Sequence, residues 1–258
     1  MLTAITREVS PRIGDGERTH VARETIDPAL AAEQHAGYER CLSDLGCRVR
    51  RLGADHDLPD SVFVEDTAVV FDELAILARP GAPSRRAETE AVAEALAEYR
   101  SLAAIEPPAT LDGGDVLAVG RTVYVGLSSR TDRAGTLQLK ARLAAFRYDV
   151  RPVEVRGCLH LKSAATQVAD ETLLIHPGWV APDAFDGLDL VEIDRREPFA
   201  ANALRIGQTV VCAAAFPRTR ERLEARGIPT VAVDVSELAK AEGGLTCCSV
   251  VFKDGGER

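Results

Sequence analysis

The sequence predicts an α/β protein made as a ring or array of one repeated unit: a β-hairpin, then a helix, then a short strand. Two observations predict it. Four hairpin-like apolar segments open at Asp66, Asp115, Ser163 and Asn202, and a fifth start follows at Cys247. Their starts lie 49, 48, 39 and 45 residues apart, a period that marks one supersecondary unit repeated along the chain. Between hairpins the hydrophobic pattern changes from alternation to a helical spacing of about 3.6 residues.

In chain order, a first strand leads into the turn-rich stretch Ser10-Pro11-Arg12-Ile13-Gly14-Asp15-Gly16, which reads equally well as a surface connection or as a lid. A helix over 28–45 stops at Gly46, and a strand follows over 48–52. The first hairpin turns at Asp72-Glu73. A helix is expected over 84–99, with Ser84 as its cap and Val92, Ala95, Leu96 and Tyr99 on one face, and then a strand over 102–105. The second hairpin turns at Gly120-Arg121 and leads to a helix over 133–146, with Leu137, Leu139 and Leu143 as apolar members, and a strand over 150–155. The third unit departs: Pro182 and scattered Gly and Asp over 177–194 allow only a short helix. The fourth turns at Gly207-Gln208, continues into a helix over 218–226 closed by Gly227, and ends in a strand over 230–233. No linker or low-complexity tract divides the chain, so one domain over 1–258 is expected, with a short flexible tail from about 253. If the ring closes, Asp66, Asp112 or Asp115, His160, Asn202 and Cys247 surround one central point. A thiol, an imidazole and carboxylates are the equipment of nucleophilic catalysis.

The 258 residues, 46% of them hydrophobic, suffice for a sizeable core. A net charge of −9 argues against a nucleic-acid partner and is compatible with a small cationic one. No apolar run reaches the ~20 residues of a membrane span, and the N-terminus lacks the pattern of a secretory signal. The six cysteines, at 41, 47, 158, 212, 247 and 248, form no zinc-binding spacing, so a reducing cytoplasm is the expected compartment.

Cys247 follows Gly243-Gly244-Leu245-Thr246 and precedes Cys248. Read as a strand, this stretch points the two thiols to opposite faces, so one of them faces the centre. Leu159-His160-Leu161-Lys162 read the same way puts His160 and Lys162 on one face, and His160 is the histidine that begins a repeat. Such a residue serves as acid and base near neutral pH; as a lone histidine it reads equally as structural. Asp112 and Asp115 flank Gly113-Gly114, a pattern that also suits a plain turn. Glu65-Asp66 sits among apolar residues, where burial without a cationic partner is costly. A guanidinium fits, either from a ligand or from an arginine of the chain. Arg85 and Arg130 each lie just past a hairpin at a predicted helix start. Positive charge there opposes the helix dipole and suits an anionic partner such as a substrate carboxylate, although solvated arginines account for each singly.

Several segments together resemble the dimethylarginine dimethylaminohydrolases of the pentein (guanidino-group-modifying) superfamily. They are Asp60-Ser61-Val62-Phe63-Val64-Glu65-Asp66, Leu111-Asp112-Gly113-Gly114-Asp115, Leu159-His160-Leu161-Lys162-Ser163 and Leu245-Thr246-Cys247-Cys248-Ser249, with matches at 79–86, 126–131 and 201–202 between them. The resemblance runs in order over nearly the whole chain. It implies a five-bladed α/β propeller of ββαβ-type units around a central channel. It also implies hydrolysis of Nω-methylated L-arginine to L-citrulline and methylamine or dimethylamine through a Cys thiouronium intermediate. Cys247 is then the nucleophile, His160 the acid–base residue and Asp112 the residue that holds it. Asp66 binds the guanidinium and Glu65 adds negative charge. Asp60 meets the amino-acid end, Arg85 and Arg130 pair with its carboxylate, Phe63 lines the pocket and Ala241 contributes backbone. The implied reaction needs no metal or organic cofactor, and the implied assembly is a monomer or homodimer. Two departures stand out: Asp112 occupies a position that is Glu in several pentein hydrolases, and the N-terminal loop aligns poorly, with Arg18 the nearest lid candidate by spacing. The same fold also serves deiminases, amidinotransferases and a non-catalytic binding scaffold.

Overall fold

The computed structural model describes residues 1–254. Strand β1 (Leu2–Arg7) and helix α1 (Pro28–Asp44) are followed by β2 (Cys47–Leu52). The next unit is β3 (Ala68–Val70), β4 (Ala75–Leu77), α2 (Thr89–Ala97) and β5 (Leu102–Ala104). Then come β6 (Val116–Val119), β7 (Thr122–Leu127), α3 (Arg133–Leu143) and β8 (Asp149–Glu154). The one-turn α4 (Leu161–Ala164) leads to β9 (Ala165–Ala169), β10 (Thr172–Ile175) and β11 (Asp189–Glu192). Last are β12 (Leu204–Ile206), β13 (Thr209–Ala213), α5 (Pro217–Ala225), β14 (Thr230–Val233), α6 (Ser236–Lys240) and β15 (Val250–Lys253).

These strands form five three-stranded sheets of identical plan. In each, the first strand pairs antiparallel with the second and the second pairs parallel with the third, as in β6-β7-β8. Four sheets are consecutive in the chain. The fifth joins the two ends: β15 pairs antiparallel with β1, and β1 runs parallel to β2. The ring is therefore closed by strand pairing between the N- and C-terminal segments. Residues from all five first strands, among them Val69, Leu117, Thr166, Leu204 and Val250, surround one axial cavity of about 220 Å³. The molecule is a five-bladed α/β propeller.

The helices form where capping and burial agree. The Asp27 carboxylate accepts the Ala29 and Leu30 amides (2.9 and 3.2 Å) at the start of α1, with Pro28 in the first turn. Gly46 and Gly227, beyond the ends of α1 and α5, adopt φ of 89° and 77°, which glycine reaches without steric cost. The apolar clusters are shared between neighbouring blades. Tyr38 and Leu42 of α1 pack on the first blade, Leu96 of α2 beside Ile5 and Phe252, Leu139 and Leu143 of α3 against Leu111 and Val123, and Leu223 of α5 against Val210. In the third unit Phe185, from the short turn Pro182–Phe185, packs on Tyr124 in place of a helix.

Local expectations are corrected in four places. The helix expected over 84–99 begins as a 3-10 segment, Pro83–Glu88, and becomes α-helical only at Thr89. Three residues per turn stack Arg85 over Glu88, which hydrogen bond there, and Ser84 donates to Glu17 Oε1 (2.6 Å) rather than capping. Leu137 is 66% exposed, so α3 buries Leu139 and Leu143 without it, and its end tightens to 3-10 over Ala144–Phe146. The stretches around His160 and Cys247 are single helical turns, not strands. Of the expected tail, Lys253 belongs to β15, and 255–258 lie outside the described residues. No helix among the described residues is long and apolar enough to cross a membrane.

Candidate active site

The repeat places a sharp helical turn just before the first strand of four blades: Val64–Thr67, Gly113–Asp115, α4 and Thr246–Cys248. Each turn lifts polar residues to the hub while the strand behind it stays apolar. Asp60, Phe63, Asp66, Arg85, Arg130, His160, Ala241 and Cys247 all line one small cavity of about 20 Å³. Asp112 and Glu65 do not line it. Asp112 is fully buried behind His160, and Glu65 faces the axial cavity on the other side of the hub.

His160 stands between two carboxylates. Its Nε2 is 3.0 Å from Asp112 Oδ2 and its Nδ1 is 3.7 Å from Asp66 Oδ1. Burial lowers the imidazole pKa, but Asp66 and Asp112 outweigh burial and raise it to about 9. Conversely, burial tends to raise Asp66, yet His160 and Arg85 hold it down to about 2. The other oxygen of Asp112 accepts the Gly81 amide at 2.8 Å, which fixes the carboxylate from behind. Gly114 closes the approach: a Cβ there would lie 2.7 Å from Asp66 Oδ1 and 2.8 Å from His160 Nδ1. The ligand atoms of Asp66, Asp112 and His160 lie within 4.8 Å of one another, a spacing that could hold a metal ion. Their hydrogen bonding already accounts for it.

Cys247 keeps part of its surface open to the cavity, whereas Cys248 is buried and donates to the Gly244 carbonyl. Burial and then the charges of Glu65 and Asp66 push the Cys247 thiol up to about 12. The resting pair is thus a neutral thiol beside a charged imidazolium.

The adjacent acids find their cations within the chain. Asp66 Oδ2 accepts from Arg85 Nη1 at 2.6 Å. Glu65 takes Lys162 Nζ on Oε1 and the Thr246 hydroxyl on Oε2, both at 2.6 Å. Arg85 also donates to Glu88 and to the carbonyls of Asp60 and Phe63. Its position near a helix start therefore reflects internal anions. Burial raises Glu88 to about 7 in spite of Arg85. Arg130 differs: its Nη1 is buried with no hydrogen-bond partner among the described residues, and its Nη2 reaches only Thr19 Oγ1, at 3.3 Å.

The N-terminal loop covers the cavity. Asp60 Oδ2 accepts the Glu17 amide (2.8 Å), and the Glu242 carboxylate accepts the Thr19 and His20 amides (2.6 and 2.7 Å). Arg18 turns away to the Lys240 and Ile13 carbonyls. Sequence reasoning did not assign roles to Glu17, Glu88, Lys162, Glu242 and Thr246. Glu88 carried a usable signal, an acid three residues after Arg85; the others are brought in by tertiary structure alone.

Comparison with known proteins identifies the family. The family model described as N,N dimethylarginine dimethylhydrolase, eukaryotic, matches residues 17–252. The N(G),N(G)-dimethylarginine dimethylaminohydrolase of Streptomyces coelicolor is 42% identical, with 97% of both chains covered. The protein of the same name from Pseudomonas aeruginosa is 36% identical, over 88% of this chain and 90% of its own. The crystal structure of a Cys→Ser mutant of the Pseudomonas aeruginosa enzyme complexed with citrulline superposes with a TM-score of 0.92, at 34% identity, covering 98% of this chain and all of that one. The chain belongs to the dimethylarginine dimethylaminohydrolase family.

Proposed function

We propose that this protein hydrolyses Nω-methylated L-arginine to L-citrulline and methylamine or dimethylamine, with Cys247 as nucleophile and His160 as acid and base. The observation that carries the reading is the convergence of Cys247, His160, Asp66 and the unpaired donor of Arg130 on one enclosed cavity. The guanidinium lies toward Asp66 and Cys247, and the α-carboxylate toward Arg130. Of the two arginines, Arg130 offers the free buried donor, while Arg85 serves chiefly as the counterion of Asp66 and Glu88. Asp60 receives the amino-acid end, Phe63 and Ala241 bound the cavity, and Glu65 contributes charge indirectly through the hub.

A thiol held near 12 is a poor nucleophile until a cation arrives beside it. The bound guanidinium is that cation: as it arrives the thiol releases its proton to solvent, His160 being already protonated, and the thiolate attacks the guanidino carbon. Because Asp112 holds Nε2, Nδ1 is the edge that transfers protons. His160 gives its proton to the departing amine as the C–N bond breaks, leaving a thiouronium on Cys247. The neutral imidazole then takes a proton from water, the oxygen adds to the same carbon, and cleavage of the C–S bond releases L-citrulline.

The test is citrulline release from asymmetric dimethyl-L-arginine, with L-arginine in parallel and Cys247→Ser and Cys248→Ser variants. Release from the methylated substrate that is lost in Cys247→Ser and kept in Cys248→Ser is the expected result. Loss in Cys248→Ser alone would reassign the nucleophile, and no release by folded wild-type protein would refute the reaction.

A further inference from the structure

Asp115 is fully buried, does not line the catalytic cavity, and divides its carboxylate between two functional segments. Oδ1 accepts the amide of Leu161, the residue next to His160, at 2.9 Å. Oδ2 accepts the Ser128 hydroxyl at 2.6 Å. That hydroxyl oxygen in turn accepts the amides of Arg130 and Thr131, at 3.0 and 3.3 Å, and so shapes the turn that carries Arg130. The neighbouring Thr131 Oγ1 accepts the Asp112 amide at 3.0 Å, tying the same turn to the partner of His160. His160 and Arg130 line the same cavity, and this one carboxylate is bonded to the supports of both.

We propose that Asp115 is a positioning residue that sets the separation between the acid–base imidazole of His160 and the guanidinium of Arg130. The inference rests on the hydrolase reading for the roles of those two residues. Asp115 cannot meet substrate, so it acts only through them. Its two oxygens make separable contributions: the Leu161 side bears on proton transfer, and the Ser128 side bears on how the substrate carboxylate is held. An interaction that holds substrate and transition state alike changes KM, whereas one needed only in the transition state changes kcat.

The experiment is steady-state kinetics on asymmetric dimethyl-L-arginine for Ser128→Ala, Asp115→Asn and the double variant, with thermal melts and ¹⁵N amide spectra. Ser128→Ala is expected to raise KM about tenfold with kcat within about twofold of wild type. Asp115→Asn is expected to raise KM similarly and to lower kcat by about tenfold or more. The KM of the double variant should not exceed that of Asp115→Asn, because both substitutions remove one bridge. The Leu161 amide resonance should move in Ser128→Ala, since Asp115 links the two segments. Kinetic constants of Asp115→Asn within about twofold of wild type, or KM effects that multiply in the double variant, would overturn the proposal. If Asp115→Asn fails to fold, Ser128→Ala decides: a loss confined to kcat, or an unmoved Leu161 amide, overturns it. Wild-type protein that releases no citrulline would refute the hydrolase reading, while the Leu161 shift still reports on the bridge.

Discussion

Asp112→Asn isolates the group that holds the proposed acid–base residue, His160. Asparagine keeps the shape of the side chain, and its Oδ1 can still accept the Gly81 amide now bound at 2.8 Å. Its NH2 must then face His160 Nε2, where it donates. A donor at that position favours the neutral imidazole, while Asp112 favours the charged one. In the native protein His160 is raised from 6.5 to about 9 against burial, with Asp66 and Asp112 as the main supports. At ~1.36 kcal/mol per pKa unit this is roughly 3 kcal/mol in favour of the imidazolium. Removing the nearer charge and its hydrogen bond should lower the value by on the order of one to two units. The alkaline limb of the kcat/KM profile then moves from about 9 to roughly 7–8, because amine departure requires the protonated form. The assay is citrulline release across pH, alongside an NMR titration of ¹⁵N-labelled histidine. A wild-type His160 that titrates near its ordinary value, or a variant still titrating near 9, would refute the electrostatic argument.

Three further outcomes follow from the same charges. Above about pH 7, where Glu88 is ionised, Glu88→Ala removes one of the two buried anions paired with Arg85 and should destabilise the fold by roughly 3–5 kcal/mol in urea denaturation; a change below about 1 kcal/mol would show that Asp66 alone suffices. Asp66 is held near 2 in the folded protein against an ordinary 3.8, so it stabilises the fold above pH 3.8, and that contribution is lost as pH falls toward 2. Asp66→Asn should therefore flatten the acid side of the stability curve; an unchanged slope would contradict the ion pair. Arg130→Lys replaces a planar fork with a point charge and should raise KM by about tenfold or more with a smaller effect on kcat, and an unchanged KM would remove Arg130 from carboxylate binding.

The repeat was readable in the sequence because hairpins with a polar start and an apolar interior recur at a near-constant spacing. Of the residues expected from this phase to face the centre, Asp66, His160 and Cys247 line the cavity, whereas Asp112 and Asp115 stand behind His160 and Asn202 bonds the Lys162 carbonyl and the Thr246 hydroxyl instead. What the phase could not supply was local winding. The turns that present His160 and Cys247 are single helical turns, each only a few residues long, and so too short for any hydrophobic period to show. Nor could it supply counterions. Lys162 is 97 residues from Glu65 and Glu242 is 223 from Thr19, so those pairings exist only once the ring has closed. The stretch 10–16 was open between a surface connection and a lid; the residue that lines the cavity is Glu17, just beyond it, with the Thr19 and His20 amides bonded to Glu242.

The distribution of charge around the hub explains how an acidic site can stay folded without a ligand and still respond to one. Burying Asp60, Glu65, Asp66 and Glu88 so close together would be prohibitive unless cations accompanied them. Arg85 and Lys162 provide those cations from the chain itself: Arg85 pairs with Asp66 at the wall of the catalytic cavity, and Lys162 pairs with Glu65 beside the axial cavity. Burial first, and then the charges of Glu65 and Asp66, keep the Cys247 thiol protonated, pushed up to about 12. A bound substrate guanidinium adds positive charge on the cavity side. It does two things at once: it offsets the field of Asp66 and lowers the cost of a thiolate. Selectivity for a cation and activation of the nucleophile are then the same electrostatic event, and a neutral urea such as the product triggers neither.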